Sequence, residues 1–177
     1  MYIVVGLGNP KEEYSHTRHN TGRMMAEYLS ENFPAGTEKV KFIVLDSYMN
    51  KSGEAVAKFI KSKKAVESLI VIYDELDLPL GSLKISYNRG SGGHRGLDSI
   101  IRALKTREFI RIRVGITPTT PTGKLKKPKT EEQVEKFLLS DFKKPEMEII
   151  KKTRKKVGEA IAIIADGGLN KAMSEFN

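Results

Sequence analysis

Four short segments of this chain carry side chains suited to moving a proton and steadying new negative charge. Asn9 follows an apolar run at the start of the chain, and His19 lies in Thr17-Arg-His-Asn-Thr-Gly22. Asn50 lies in Tyr48-Met-Asn-Lys-Ser-Gly53, and Asp74 follows the β-branched run Leu69 to Tyr73. A neutral histidine can take a proton from water near pH 7. A buried carboxylate can fix its tautomer and stabilise the imidazolium that forms. Asparagine amides can donate to a carbonyl oxygen as it gains charge. Together these residue types suit hydrolysis of an ester or amide by activated water, with neither a metal nor a covalent intermediate. Each also has a structural reading. Asn9 before Pro10 is a turn former, Asn20 or Thr21 and Asn50 are helix caps, His19 is a loop residue and Asp74 satisfies turn amides. The chemical reading rests on the set.

Other chemistries find less support. The chain has no cysteine, which excludes disulfides, thiolate metal sites and a cysteine nucleophile. No Gly-x-Ser-x-Gly elbow is present. Gly6-x-Gly8 lacks the third glycine of a dinucleotide fingerprint, with Lys11 in its place, and Gly90 to Gly96 lacks the Gly-Lys-Ser/Thr ending of a phosphate loop. His16, His19, His94 and Asp74 show no metal-binding spacing, so no metal is expected.

The elements that must position these residues follow from periodicity. Strands are expected at Tyr2–Leu7, Lys41–Leu45, Leu69–Tyr73, Leu83–Tyr87 and Ile110–Ile116. In the last, Ile110, Ile112, Val114 and Ile116 alternate with Arg111, Arg113 and Gly115, which predicts one face towards solvent. Helices are expected from Thr21 to a stop at Pro34-Ala-Gly36, around Ala55 to Ile60, and over Leu97–Leu104, Glu131–Leu138, Pro145–Ala165 and Leu169–Phe176. Thr117 to Thr130 reads as a mobile loop. The alternation predicts an α/β fold, one domain over residues 1–177, with a mixed, mostly parallel sheet flanked by helices. If the strands before Asn9 and Asp74 are parallel neighbours, the two residues meet at the carboxyl edge of the sheet, where such folds bind ligands. No signal peptide or membrane span is expected, because the first strand starts at Tyr2 and the apolar runs are short. The formal net charge of +9 favours a polyanionic partner.

The segments Val5-Gly-Leu-Gly-Asn-Pro10, Tyr14, Thr17 to Gly22, Tyr48 to Gly53, Tyr73-Asp-Glu-Leu-Asp-Leu-Pro79 and Gly92-Gly-His-Arg-Gly96 resemble bacterial peptidyl-tRNA hydrolases, in the family's order and at compatible spacing. The resemblance implies a phosphorylase/hydrolase-like fold, a monomeric cytoplasmic enzyme without cofactor, and peptidyl-tRNA as substrate. It implies that His19 is the base, Asp74 its orienting carboxylate, and Asn9 and Asn50 the groups that hold substrate and water. Tyr14, Met49 and His94 would line the same cleft. After His94 the family usually has Asn, linked to binding near the tRNA end, whereas this chain has Arg95. Arg loses the amide acceptor but adds charge, which suits a phosphate.

Phosphates would be met by basic side chains: Lys84, Arg89 and Arg95 near the cleft, and Lys124, Lys126, Lys127 and Lys129 in the loop after the last strand. The cluster Lys151 to Lys156 spans more than one helical turn and cannot all share one face. The main alternative is a non-catalytic RNA-binding relative of the same fold.

Overall fold

Apolar strands alternate with amphipathic helices, and the computed structural model, which describes residues 1–34 and 38–177, layers them around one sheet. The strands are β1 (Tyr2–Gly6), β2 (Val40–Ile43), β3 (Leu69–Pro79), β4 (Leu83–Tyr87) and β5 (Ile110–Thr117). The helices are α1 (Thr21–Asn32), α2 (Ser52–Ala57), α3 (Lys63–Glu67), α4 (Arg95–Leu104), α5 (Glu131–Leu139), α6 (Lys144–Gly167) and α7 (Leu169–Phe176). The sheet order is β2-β1-β3-β5-β4; only β4 runs antiparallel, against β5.

Strand periodicity divides the core in two. Val4, Ile70, Ile72 and Ile112 face one side, with Met25 and Leu29 of α1 and Ile150, Val157, Ile161 and Ile164 of α6. Val5, Val71 and Tyr73 face the other, with Val56 of α2 and Leu97 and Ile100 of α4. The buried residues of α6 recur at three, four and seven positions, the spacing of one helical face.

The edge that carries the candidate site is shaped by unequal strand lengths. β1 ends at Gly6, paired with Ile72, while β3 continues through Asp74, which pairs with Val114 of β5. The space beyond β1 receives a 3-10 turn, Arg18–Asn20, that leads directly into α1. Gly22 makes this entry possible. A Cβ there would lie 2.1 Å from the Ile72 carbonyl oxygen and 2.7 Å from the Leu7 nitrogen.

Several expectations need correction. β3 does not stop at Tyr73 but runs to Pro79 with an irregularity between Glu75 and Pro79, so Asp74 sits in the strand. No face of β5 meets solvent: all eight residues are buried. The Arg111 guanidinium lies 4.5 Å from the Phe109 ring and donates to the Gly90 carbonyl at 3.2 Å, while Arg113 Nε donates to Glu75 Oε2 at 2.9 Å. Burial draws the Arg111 pKa down to about 10. Gly115 is covered by the end of β3, where a Cβ would meet the Pro79 carbonyl oxygen at 1.9 Å. Within the expected loop, residues 118–126 form a small hydrogen-bonded hairpin, with Thr119 bridged to Leu125 and the Lys126 N–H donating to the Pro118 carbonyl at 2.8 Å. Helix α3 was not anticipated. Helix α1 ends at Asn32; Ala35 and Gly36 of the expected stop lie outside the described residues.

Gly22→Ala should lower stability by about 1–3 kcal/mol or more, since its methyl group would press on backbone that cannot yield. Urea unfolding monitored by circular dichroism measures this.

Candidate active site

Asp74 is the centre of the site. Its carboxylate is 3% exposed and accepts from two imidazoles. His19 Nδ1 lies 2.9 Å from Oδ2 and 3.1 Å from Oδ1, and His94 Nε2 lies 3.0 Å from Oδ1. Burial alone would raise the Asp74 pKa, but the two imidazoles outweigh it and hold the carboxyl well below the usual range. An ionised Asp74 requires a proton on the facing nitrogen of each ring. His19 therefore carries its proton on Nδ1, which leaves Nε2 as its acceptor. His94 Nδ1 accepts from the Leu97 N–H at 3.4 Å, a long contact that caps α4 and assigns the His94 proton to Nε2. For His19, burial disfavours the charged form, yet the Asp74 charge and hydrogen bond win and its pKa is raised above 6.5.

Asn20 does not cap α1 with its side chain. Its amide pairs with the backbone of Asn9 instead, Oδ1 accepting from the Asn9 N–H and Nδ2 donating to the Asn9 carbonyl, both at 2.9 Å. This clasp joins the turn after β1 to the His19 turn. The Asn9 side chain is also oriented: the Met49 backbone N–H donates to its Oδ1 at 2.9 Å. A backbone N–H can only donate, so the facing atom is oxygen, and Asn9 Nδ2 is left without a partner among the described residues. Met49 and Asn50 sit on a 3-10 turn ahead of α2. That turn approaches the cleft because α2 and α4 nearly touch at Gly53, where a Cβ would lie 2.0 Å from the Ser99 carbonyl oxygen.

These residues open on a cleft of about 650 Å³. Asn9, His19, Met49, Asn50, Asp74, His94, Arg89, Arg95 and Lys127 line it. Asn50 is exposed, and its side chain makes no hydrogen bond among the described residues. Tyr14 is not part of the lining: it belongs to a separate 3-10 turn, and its carbonyl accepts from Thr17 Oγ1 at 2.9 Å. Lys84, Lys124, Lys126 and Lys129 also lie outside it. Lys84 is set on the edge strand β4, in register with the cleft-lining Arg113, and the hairpin carries Lys124 and Lys126 outside the lining. Arg95 pairs with Glu135 of α5 at 3.3 Å, and Lys127 pairs with Asp77.

Sequence reading missed three contributions to the site. His94 was placed in the cleft wall but not on Asp74, 20 residues away in sequence. Lys51 lines the cleft, as do Val134, Leu138 and Leu139 of α5. No spacing rule could have found the α5 residues, because they reach the cleft by tertiary packing. His19, Asp74 and His94 each place one possible ligand atom within 4.8 Å of the others. The same three residues are already joined by hydrogen bonds through His19 Nδ1 and His94 Nε2, so a cation bound by those nitrogens would displace both imidazole protons.

A parallel-sheet edge with a carboxylate-braced imidazole and an oriented amide beside it has the groups that a hydrolase needs to activate water. The comparisons make this specific. Residues 3–177 match the family model for peptidyl-tRNA hydrolase. The peptidyl-tRNA hydrolase of Fervidobacterium nodosum is 41% identical, over 99% of this chain and 95% of its own length. That of Thermodesulfovibrio yellowstonii is 37% identical, over 100% and 99%. The crystal structure of peptidyl-tRNA hydrolase from Acinetobacter baumannii superposes with a TM-score of 0.83 at 27% identity, covering 100% of this chain and 94% of that one. This chain belongs to the peptidyl-tRNA hydrolase family. Among the described residues no helix is long and apolar enough to cross a membrane.

Asp74→Asn removes the charge that raises His19, leaves at most a neutral hydrogen bond to its Nδ1, and keeps the burial that lowers it. The His19 pKa should therefore fall below its wild-type value, as followed by NMR of the imidazole carbon-bound protons. An unchanged or higher value would contradict the pairing.

Proposed function

We propose that this protein hydrolyses the ester between a peptide and the 3′-terminal adenosine of tRNA, freeing both after premature termination of translation. The observation that carries this reading is the pairing of His19 Nδ1 with the buried Asp74 carboxylate, which leaves Nε2 of this cleft-lining residue as the free acceptor. His19 takes a proton from water and the resulting hydroxide attacks the ester carbonyl. Asp74 stabilises the imidazolium, and the proton then passes to the departing ribose oxygen. Asn9 Nδ2 is the better oxyanion donor, because Met49 fixes the Asn9 amide in advance, whereas Asn50 is free to turn. Asn50 then serves to hold substrate or water at the rim, with Met49 and His94 beside it.

Peptide sequence varies, so the cleft must read the ester and the peptide backbone. The tRNA offers phosphates, for which Arg89 and Arg95 at the cleft and Lys124, Lys126 and Lys127 around the hairpin are the candidate contacts. Lys84 is a weaker candidate, since it does not line the cleft. In this reading residues 1–177 act as one domain, monomeric and cytoplasmic, with no cofactor or metal in the chemistry. The absence of cysteine and the basic surface are compatible with such a setting.

The decisive assay is peptide release from purified peptidyl-tRNA. His19→Ala should reduce kcat by roughly 10²–10⁴-fold with a much smaller effect on binding. Wild-type kcat/KM should fall as pH drops through a value above 6.5, because only unprotonated His19 can act as base. RNA binding without release, by wild type as by His19→Ala, would favour the non-catalytic alternative. Arg95→Asn should raise KM and reduce the slope of log KM against log salt by about 1, the loss of one phosphate contact. Unchanged KM and slope would remove Arg95 from the tRNA contacts.

A further inference from the structure

Arg18 precedes the proposed base and takes no part in the chemistry described above, yet its side chain is only 6% exposed. Its guanidinium reaches across more than 120 residues of sequence. Nη1 donates to the Ser140 carbonyl at 3.2 Å, to Ser140 Oγ at 2.7 Å and to the Asp141 carbonyl at 2.8 Å. Nη2 donates to Glu146 Oε2 at 2.8 Å, and the same carboxylate oxygen accepts from the Lys143 N–H at the start of α6. The guanidinium carbon lies 4.5 Å from the Phe137 ring centre and 5.2 Å from that of Phe142. The backbone repeats the tie, with the Arg18 N–H donating to the Ser140 carbonyl at 3.1 Å and Thr17 bridged to Asp141.

What this clamp holds is the end of α5. That helix has no buried residue. Only Phe137 and Leu138 reach the core from it, both partly buried. Yet Val134, Leu138 and Leu139 form an apolar wall of the cleft, and Glu135 faces Arg95. A helix with so little apolar burial of its own depends on its junction for its position. The Arg95–Glu135 pair cannot replace that junction, because both side chains are more than half exposed and such pairs are weak. The guanidinium suits this task where an ammonium does not: it bonds several acceptors at once and lies close to two aromatic rings.

We infer that Arg18 is a positioning residue, which acts through the α5–α6 junction to hold α5 as a fixed wall of the substrate cleft against the turn that carries His19. The base itself is held separately by Asp74, so Arg18 governs how substrate is seated rather than how the proton moves. The kinetic part of this inference rests on the hydrolase reading; the placement of α5 does not.

Arg18→Lys tests it, since it keeps a charge for Glu146 and loses the multiple contacts to Ser140 and Asp141. KM for peptidyl-tRNA should rise about tenfold while kcat stays within about threefold and the acidic limb of the pH profile does not move. Amide hydrogen exchange should accelerate over residues 131–139 and remain slow in β1 and β3. Wild-type KM with wild-type protection of α5 would overturn the inference. So would a collapse of kcat with a displaced acidic limb, which would place Arg18 in the service of His19. Should Arg18→Lys fail to fold, Ser140→Ala removes one accepted bond at the same junction. It should produce the same changes at smaller amplitude, and unchanged exchange over α5 together with unchanged KM would then overturn the claim. If wild type released no peptide, the proposed function would fall, and exchange over α5 would still decide the role of Arg18.

Discussion

An ionised carboxylate removed from water is the constraint around which this molecule is arranged. A buried charge without compensation would cost several kcal/mol or would neutralise itself by taking up a proton. Asp74 keeps its charge because two imidazole N–H groups face it. Each of those rings needs an element to hold it. His19 comes from a turn that can enter only because β1 stops short and Gly22 lets the backbone of α1 close on β3. His94 comes from the start of α4, where its second nitrogen accepts a backbone N–H. The strand lengths, the glycine contact and the helix start are thus consequences of one electrostatic requirement. The same requirement fixes the His19 tautomer, which makes Nε2 the free nitrogen.

Much of the fold was legible because its signals are local. The apolar alternation of Ile110 to Ile116 marks β5, and the recurrence of Ile150, Val157, Ile161 and Ile164 marks α6. Residue types just after the apolar runs Tyr2 to Leu7 and Leu69 to Tyr73 single out Asn9 and Asp74, and the observed parallel pairing of β1 with β3 supplies the adjacency that is only conditional in the sequence. What escaped depends on partners distant in the chain. Arg111 and Arg113 read as a solvent face because charge on alternate positions usually does. Their burial follows from Phe109, Gly90 and Glu75, which periodicity cannot bring to them. Asp74 read as the start of a loop because acidic and proline residues follow it, yet pairing with β5 carries the strand onward. Asn20 read as a cap because it precedes a helix, and the Asn9 backbone took its amide instead.

The distribution of charge separates two tasks that the net value of +9 merges. Inside the cleft, three cations are already matched by acids: Arg113 by Glu75, Lys127 by Asp77 and Arg95 by Glu135. Among the cleft-lining residues described, Lys51 and Arg89 have no ion pair. The cleft therefore adds little to the molecule's positive field, and the surplus lies on surfaces outside it. A polyanion would be drawn in by those outer lysines, over distances of about a Debye length, 8–10 Å in physiological salt.

At the paired cations of the cleft, an incoming anion would have to exchange with a carboxylate. Arg113 and Glu75 are nearly buried and their bond is structural, because releasing either would leave an unpaired charge in the core. Arg95 and Glu135 are exposed, and pairs of that kind contribute about 0–1 kcal/mol, so a phosphate could displace the carboxylate at little cost. The two pairs look alike as charges in a sequence and differ entirely in burial. That difference makes one of them part of the frame and leaves the other available to a ligand.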